Sequence, residues 1–271
     1  MIGDCALITP ALSLLKKKYP DARISVLIRP YTKDIFLNNP DIDEVIGDRF
    51  AQGEIRSLKA FNEYVEFIKG KEFDCSVHFY NEMPYAILAK WAGIPERIGD
   101  SSKPLISPFY TKKSDCRWGD LTLHEVEHNI LLLRPLGIDL PDPPPRMNIT
   151  ADRELMMQLC EKHGISPDAF VVGVHLGTGK GNKAWLADRY AKVIDGLAGD
   201  LNAKVVLTGG SAELPAARTV MALCKHAPVN LVGTSYILSF FLRIFAVISG
   251  SMSNFFDWMF NCLARSAGMS L

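Results

Sequence analysis

Two glycine-rich turns carry the residues of this chain best suited to hold a phosphate and a ribose. The first reads Leu176-Gly177-Thr178-Gly179-Lys180-Gly181-Asn182-Lys183. Its glycines let backbone N–H groups converge on an anion. A helix starting near Leu186 adds partial positive charge, and Lys180 and Lys183 supply full charges. The pattern is neither G-x-x-x-x-G-K-[ST] nor G-x-G-x-x-G, so alone it reads equally well as a surface loop. The second turn is Thr208-Gly209-Gly210, followed by Glu213 in a first helical turn. Two glycines admit a ligand close to the backbone, and the carboxylate can accept from ribose hydroxyls. A lone acid at a helix start also serves the helix dipole. The pair of turns together favours a nucleotide.

Two further constellations can do chemistry. Gly3 and Asp4 read as a turn after a strand, leading into a helix whose first turn is set by Pro10. Asp4 is then either an N-cap or a general base at the edge of a cleft. His124-Glu125-Val126-Glu127-His128 matches H-E-x-x-H, which on a helix would set two imidazoles on one face for zinc with Glu125 as base. The longer metzincin pattern fails, because Leu131 stands where a glycine belongs and no third histidine follows at the required spacing.

These turns need strands behind them and helices after them. Arg23–Arg29, Phe73–Phe79, Phe170–His175, Ala203–Thr208 and Phe245–Ser249 read as buried strands. Residues 55–69, 121–136, 186–197 and 213–225 carry the helical period. The alternation predicts parallel sheets with crossover helices, whose ligands sit at the carboxyl ends of the strands. Pro141, Pro143, Pro144 and Pro145 forbid helix and interior strand alike. They divide the chain into 1–140, a linker over 141–149, and 150–271.

The balance of 30 basic and 30 acidic residues leaves no summed field to attract nucleic acid, so any anion site must be local. The 48% apolar fraction is that of a well-cored protein. Six dispersed cysteines without a C-x-x-C pair suit a reducing compartment, and no secretory signal opens the chain, so cytoplasm is expected. The window Tyr236–Gly250 is interrupted by Ser239 and Arg243 and reads as core.

Taken in order, these residues resemble a known family. Gly3 and Asp4 with Thr9-Pro10-Ala11-Leu12 come first, then residues 19–24 and 39–46. His175 to Thr178 follows, leading to Lys183-Ala184-Trp185, and then Leu207 to Gly210 with Glu213. The set is similar to glycosyltransferase family 9, the ADP-heptose:lipopolysaccharide heptosyltransferases. The resemblance implies a GT-B-like fold of two Rossmann-like domains, acceptor on the first and nucleotide-sugar donor on the second. It implies inverting chemistry with no obligatory metal or cofactor. Asp4 would be the general base, Thr178 and Lys183 would hold the donor diphosphate, and Gly209, Gly210 and Glu213 would hold the ribose side. The donor would be ADP-heptose and the acceptor a lipid A core oligosaccharide, which implies peripheral contact with the inner membrane.

Against that family the chain reads as truncated at both ends, with the first strand and the C-terminal part missing. Met252 to Phe260 departs from the expected glycine-rich turn. Two alternatives stay open beside the enzyme: a non-catalytic ADP-sugar-binding remnant, and a zinc hydrolase through His124, Glu125 and His128.

Overall fold

The computed structural model describes residues 2–150, 153–166, 168–177 and 185–234. The expected strand at Phe245–Ser249 lies outside them. The chain divides into two compact units, Met1–Thr150 and Ala151–Leu271.

The first unit opens with α1 (Ile2–Lys18), which runs straight through Pro10. Here the structure corrects the sequence reading: Gly3 and Asp4 lie in the first turn of a helix, not in a loop that precedes one. A proline inside a helix strips a donor from the carbonyl four residues back, here that of Ala6. The Thr9 hydroxyl replaces it, donating to Ala6 O at 2.8 Å. α1 then leads to β1 (Ser25–Ile28), which pairs in parallel with β2 (Glu44–Gly47). The helix α2 (Leu58–Lys69) starts at Ser57, whose Oγ accepts from Ala60 N at 3.1 Å as an N-cap.

A second parallel sheet in this unit has the order β3 (Cys75–Val77), β4 (Glu96–Asp100), β5 (Lys112–Ser114). Between β3 and β4 lies α3 (Met83–Trp91), packed on α2 through Tyr64, Val65, Ile68, Leu88 and Ala89. The helix expected over 121–136 is shorter, α4 (Glu125–Leu131), followed by a 3₁₀ turn at Arg134–Leu136. Pro135 in that turn cannot continue the i→i−4 ladder. α4 packs on α1 through Ala11, Val126 and Ile130, with Leu133 just beyond α4 joining the same cluster.

The proline-rich stretch is latched rather than loose. Beyond it, Asn148 N donates to Thr9 Oγ1 at 3.0 Å and Asn148 Nδ2 to Asp41 Oδ2 at 2.8 Å. The buried Asn39 amide donates to Asn148 O at 2.8 Å.

The second unit begins with α5 (Arg153–Lys162) and a parallel sheet of order β6 (Val171–His175), β7 (Lys204–Thr208), β8 (Val229–Asn230). The crossovers α6 (Ala187–Leu201) and α7 (Leu214–Leu223) connect consecutive neighbours. Alternate residues of a strand face opposite sides, and β7 is covered on both. Val205 and Leu207 meet Ile194, Leu197, Ala217 and Val220 from α6 and α7, while Val206 meets Leu159 and Cys160 from α5. Burial on both faces explains the unbroken apolar run that marks this strand in the sequence. No helix among the described residues is long and apolar enough to cross a membrane.

Candidate functional site

In the second unit, β6 and β7 end side by side, with His175 opposite Thr208 in the register. Their side chains meet there, His175 Nδ1 lying 3.2 Å from Thr208 Oγ1. The chain then turns through Gly177 on one side and through Gly209 and Gly210 on the other. Leu176 N donates to Thr208 O at 3.0 Å and Gly233 N to Gly209 O at 2.9 Å, which ties the two turns to the sheet.

Glu213 closes the 3₁₀ turn Ser211–Glu213 and stands at the N-cap of α7, yet its side chain makes no capping hydrogen bond. Its carboxylate lies instead between the glycines. A methyl group added at Gly177 would stand 3.4 Å from Glu213 Oε1 and 2.9 Å from His175 Nε2; one added at Gly210 would stand 3.0 Å from Glu213 Oε2. The absent side chains make the room that the carboxylate and imidazole occupy. His175 reaches the surface, but the atoms packed beneath it hold its pKa below the usual histidine value, with Glu213 pulling the other way. A neutral imidazole beside a carboxylate, over glycine backbone at two strand ends, offers acceptors for hydroxyls and little steric bulk.

Of the donor residues read from the sequence, the structure thus brings Gly209, Gly210 and Glu213 together. Thr178 and Lys183 lie outside the described residues. The sequence marks His175 as the end of its strand and the first residue of the family motif without giving it a role in the site; a histidine closing a buried strand beside a glycine turn is the signal for one.

In the first unit, Asp4 is exposed in the first turn of α1, where an acid also complements the helix dipole. Its charge reaches the Tyr80 hydroxyl, which Glu82 also contacts. Tyr80 follows β3, Arg29 follows β1 and Asp48 follows β2, so the carboxyl ends of these strands supply a shared rim. Asp48 is buried and accepts from Tyr85 Oη at 2.6 Å. Burial and that acceptor hold the Tyr85 phenol protonated far above its ordinary range.

The H-E-x-x-H stretch is used otherwise. His124 is the N-cap of α4, in extended backbone, and its Nδ1 accepts from Val126 N at 3.2 Å. Glu127 answers by accepting from His124 N at 2.6 Å, completing a capping box. His128 is buried with Nδ1 on Cys116 O at 2.7 Å and its ring 4.9 Å from that of Trp118. Only the second histidine stands within the helix, so the two rings do not form an i, i+4 pair of ligands. Among the described residues no group of three His, Cys, Asp or Glu could hold a metal ion.

Two α/β units with parallel sheets and crossover helices are the architecture of the GT-B-like fold. The family model "Glycosyltransferase family 9 (heptosyltransferase)" matches residues 63–247. The chain belongs to glycosyltransferase family 9.

A solved glycosyl transferase family 9 structure from Veillonella parvula DSM 2008 superposes with a TM-score of 0.75 at 26% identity, covering 88% of this chain and 69% of that one. The lipopolysaccharide heptosyltransferase 3 of Escherichia coli is 26% identical over 232 residues, 84% of this chain and 67% of that one. The E. coli heptosyltransferase WaaC, solved with ADP, shares the fold at a TM-score of 0.64 and 20% identity, covering 84% of this chain and 72% of that one. The chain spans 62 to 67% of the length of the curated relatives it matches.

Proposed function

We propose that this chain transfers a heptose from ADP-heptose to a sugar of the lipopolysaccharide core. The second unit would take the donor, with Glu213 accepting from the ribose hydroxyls and Gly209 and Gly210 admitting the ribose to the backbone. Thr178 and Lys183 would face the diphosphate. The first unit would take the acceptor, with Asp4 as general base.

In the reaction, an acceptor hydroxyl oxygen forms a bond to the anomeric carbon as the bond from that carbon to the diphosphate oxygen breaks. Asp4 takes the hydroxyl proton, and ADP leaves with the electron pair. The departing diphosphate needs no proton, so one carboxylate suffices, and cationic charge at the phosphates stabilises what develops there. Attack from the face opposite the leaving group inverts the centre. A lipid-borne acceptor would bring the enzyme to the inner leaflet of the membrane from the cytoplasm.

The observation that carries this reading is the Glu213 carboxylate seated between Gly177 and Gly210 beside His175, at the ends of two parallel strands. The sharing of a fold with an ADP-bound heptosyltransferase supports it. The test is transfer itself, with ADP-heptose and a heptose-deficient core acceptor and the product followed by mass. Asp4→Asn is expected to lower the rate by about 10²- to 10⁴-fold, the range for loss of a general base. ADP binding without transfer would leave a nucleotide-sugar-binding protein, and absence of both would overturn the reading.

A further inference from the structure

At the strand ends of the second unit, the donor assignments give ligand atoms to Glu213 and two glycines and none to the imidazole beside them. His175 closes β6 opposite Thr208, the last residue of β7. Thr208 is fully buried, and its Oγ1 lies 3.2 Å from His175 Nδ1 and reaches Val174 O at 3.5 Å. One nitrogen of the ring is thereby tied to the sheet, and that contact sets what the other can do.

The other nitrogen looks over Gly177. A methyl group built there would stand 2.9 Å from His175 Nε2 and 3.4 Å from Glu213 Oε1, so the two polar atoms flank one point above a residue that has no side chain. Glu213 Oε2 faces the second turn, 3.0 Å from a methyl group built at Gly210. A pair of polar atoms converging from two strand ends suits two neighbouring hydroxyls better than one. The carboxylate only accepts, so the hydroxyl it takes must donate. A neutral imidazole nitrogen accepts or donates, and a hydroxyl does both, so the second hydroxyl suits the ring in either tautomer.

We propose that His175 and Glu213 divide the vicinal diol of a ribonucleotide between them, one hydroxyl to each, and that Thr208 is the positioning residue that aims the imidazole. The site would then select nucleoside diphosphates at both sugar hydroxyls. This rests on the reading of the second unit as the nucleotide site and adds a specificity determinant to it.

The experiment is calorimetric titration of the full chain with ADP, 2′-deoxy-ADP and 3′-deoxy-ADP. The intact protein is expected to bind each deoxy compound about three- to tenfold more weakly than ADP, the loss for one hydrogen bond. His175→Phe keeps a flat ring without the nitrogen. It is expected to erase the penalty for one missing hydroxyl and keep the other, and Glu213→Ala to do the opposite. His175→Gln, whose amide also donates and accepts, is expected to restore part of the selectivity. Thr208→Val keeps the shape and releases Nδ1; it is expected to erode the same penalty as His175→Phe, while Thr208→Ser preserves it. Circular dichroism checks that each variant is folded, and ratios between nucleotides on one folded variant do not report its stability.

Equal affinity of the intact chain for all three nucleotides, both penalties surviving in His175→Phe, or both variants erasing the same penalty would overturn the proposal. If ADP itself fails to bind, the nucleotide reading falls and the shared diol with it. If ADP binds and His175→Phe changes neither ratio, the division of the diol falls alone.

Discussion

Thr9 donates its hydroxyl to the carbonyl of Ala6 at 2.8 Å, the carbonyl that Pro10 leaves without its helical donor. The same hydroxyl accepts from Asn148 N at 3.0 Å, so one buried side chain both repairs α1 and fastens the segment beyond the prolines. Thr9→Val keeps the shape and removes both bonds. It is expected to cost about 1–3 kcal/mol, the penalty for stranding buried polar groups, read as a lower urea midpoint. An unchanged midpoint would mean that water or a bent helix already serves the Ala6 carbonyl.

Tyr64 presents the opposite case. Its side chain is fully buried among Phe50, Phe61 and Phe67, and among the described residues its hydroxyl has no hydrogen bond of good geometry, the Arg49 backbone approaching it without completing one. Burial pushes its phenol up to about 12. Tyr64→Phe removes only the stranded oxygen and is expected to be neutral, or stabilising by about 1 kcal/mol, in denaturant unfolding. A loss of stability would show that the hydroxyl is satisfied in solution.

His78 makes the protein sensitive to mild acid. Burial, aided by the charge of Arg97, lowers its pKa to about 4, whereas in the unfolded chain it titrates near its ordinary value of 6.5. Between those values the unfolded state binds the extra proton, so stability falls as the pH drops from about 6.5 to about 4. The loss is on the order of 3 kcal/mol at most across that window. Carboxylates such as Asp43, lowered by the Ile24 N–H and by Lys16, act in the same direction at lower pH. Unfolding measured from pH 7 down to pH 4.5 should therefore show a slope that flattens in His78→Gln; an equal slope in both proteins would remove His78 as its source.

Gly177 tests the proposed donor site without replacing a charged side chain. A methyl there would press on His175 Nε2 at 2.9 Å and on Glu213 Oε1 at 3.4 Å. Gly177→Ala is expected to weaken ADP about tenfold, close to 1.4 kcal/mol, while leaving the unfolding midpoint nearly unchanged. Undiminished ADP affinity would reduce this glycine to an ordinary loop residue.

The sequence made β6 and β7 plain because both faces of these strands are covered, which demands continuous β-branched apolar residues. β4 and β5 escaped for the opposite reason. They read Glu96-Arg97-Ile98-Gly99-Asp100 and Lys112-Lys113-Ser114, and are joined partly by a Lys112 to Glu96 ion pair at 2.7 Å that looks like solvent-facing loop in one dimension. The part of α1 before Pro10 escaped, because the helix's passage through that proline depends on Thr9 and on the distant Asn148. The pairing of Gly209 and Gly210 with Glu213 was legible from spacing alone. The contribution of His175 depended on β6 and β7 ending in register.

Glu213 is proposed to read the ribose of an ADP moiety. Calorimetric titration of the intact chain and of Glu213→Ala with ADP and with 2′,3′-dideoxy-ADP tests it most directly. Glu213→Ala is expected to weaken ADP about tenfold or more, as loss of a charge-assisted hydrogen bond does, and to leave the dideoxy compound's affinity almost unmoved. Equal losses for the two nucleotides, or no loss for either, would contradict it.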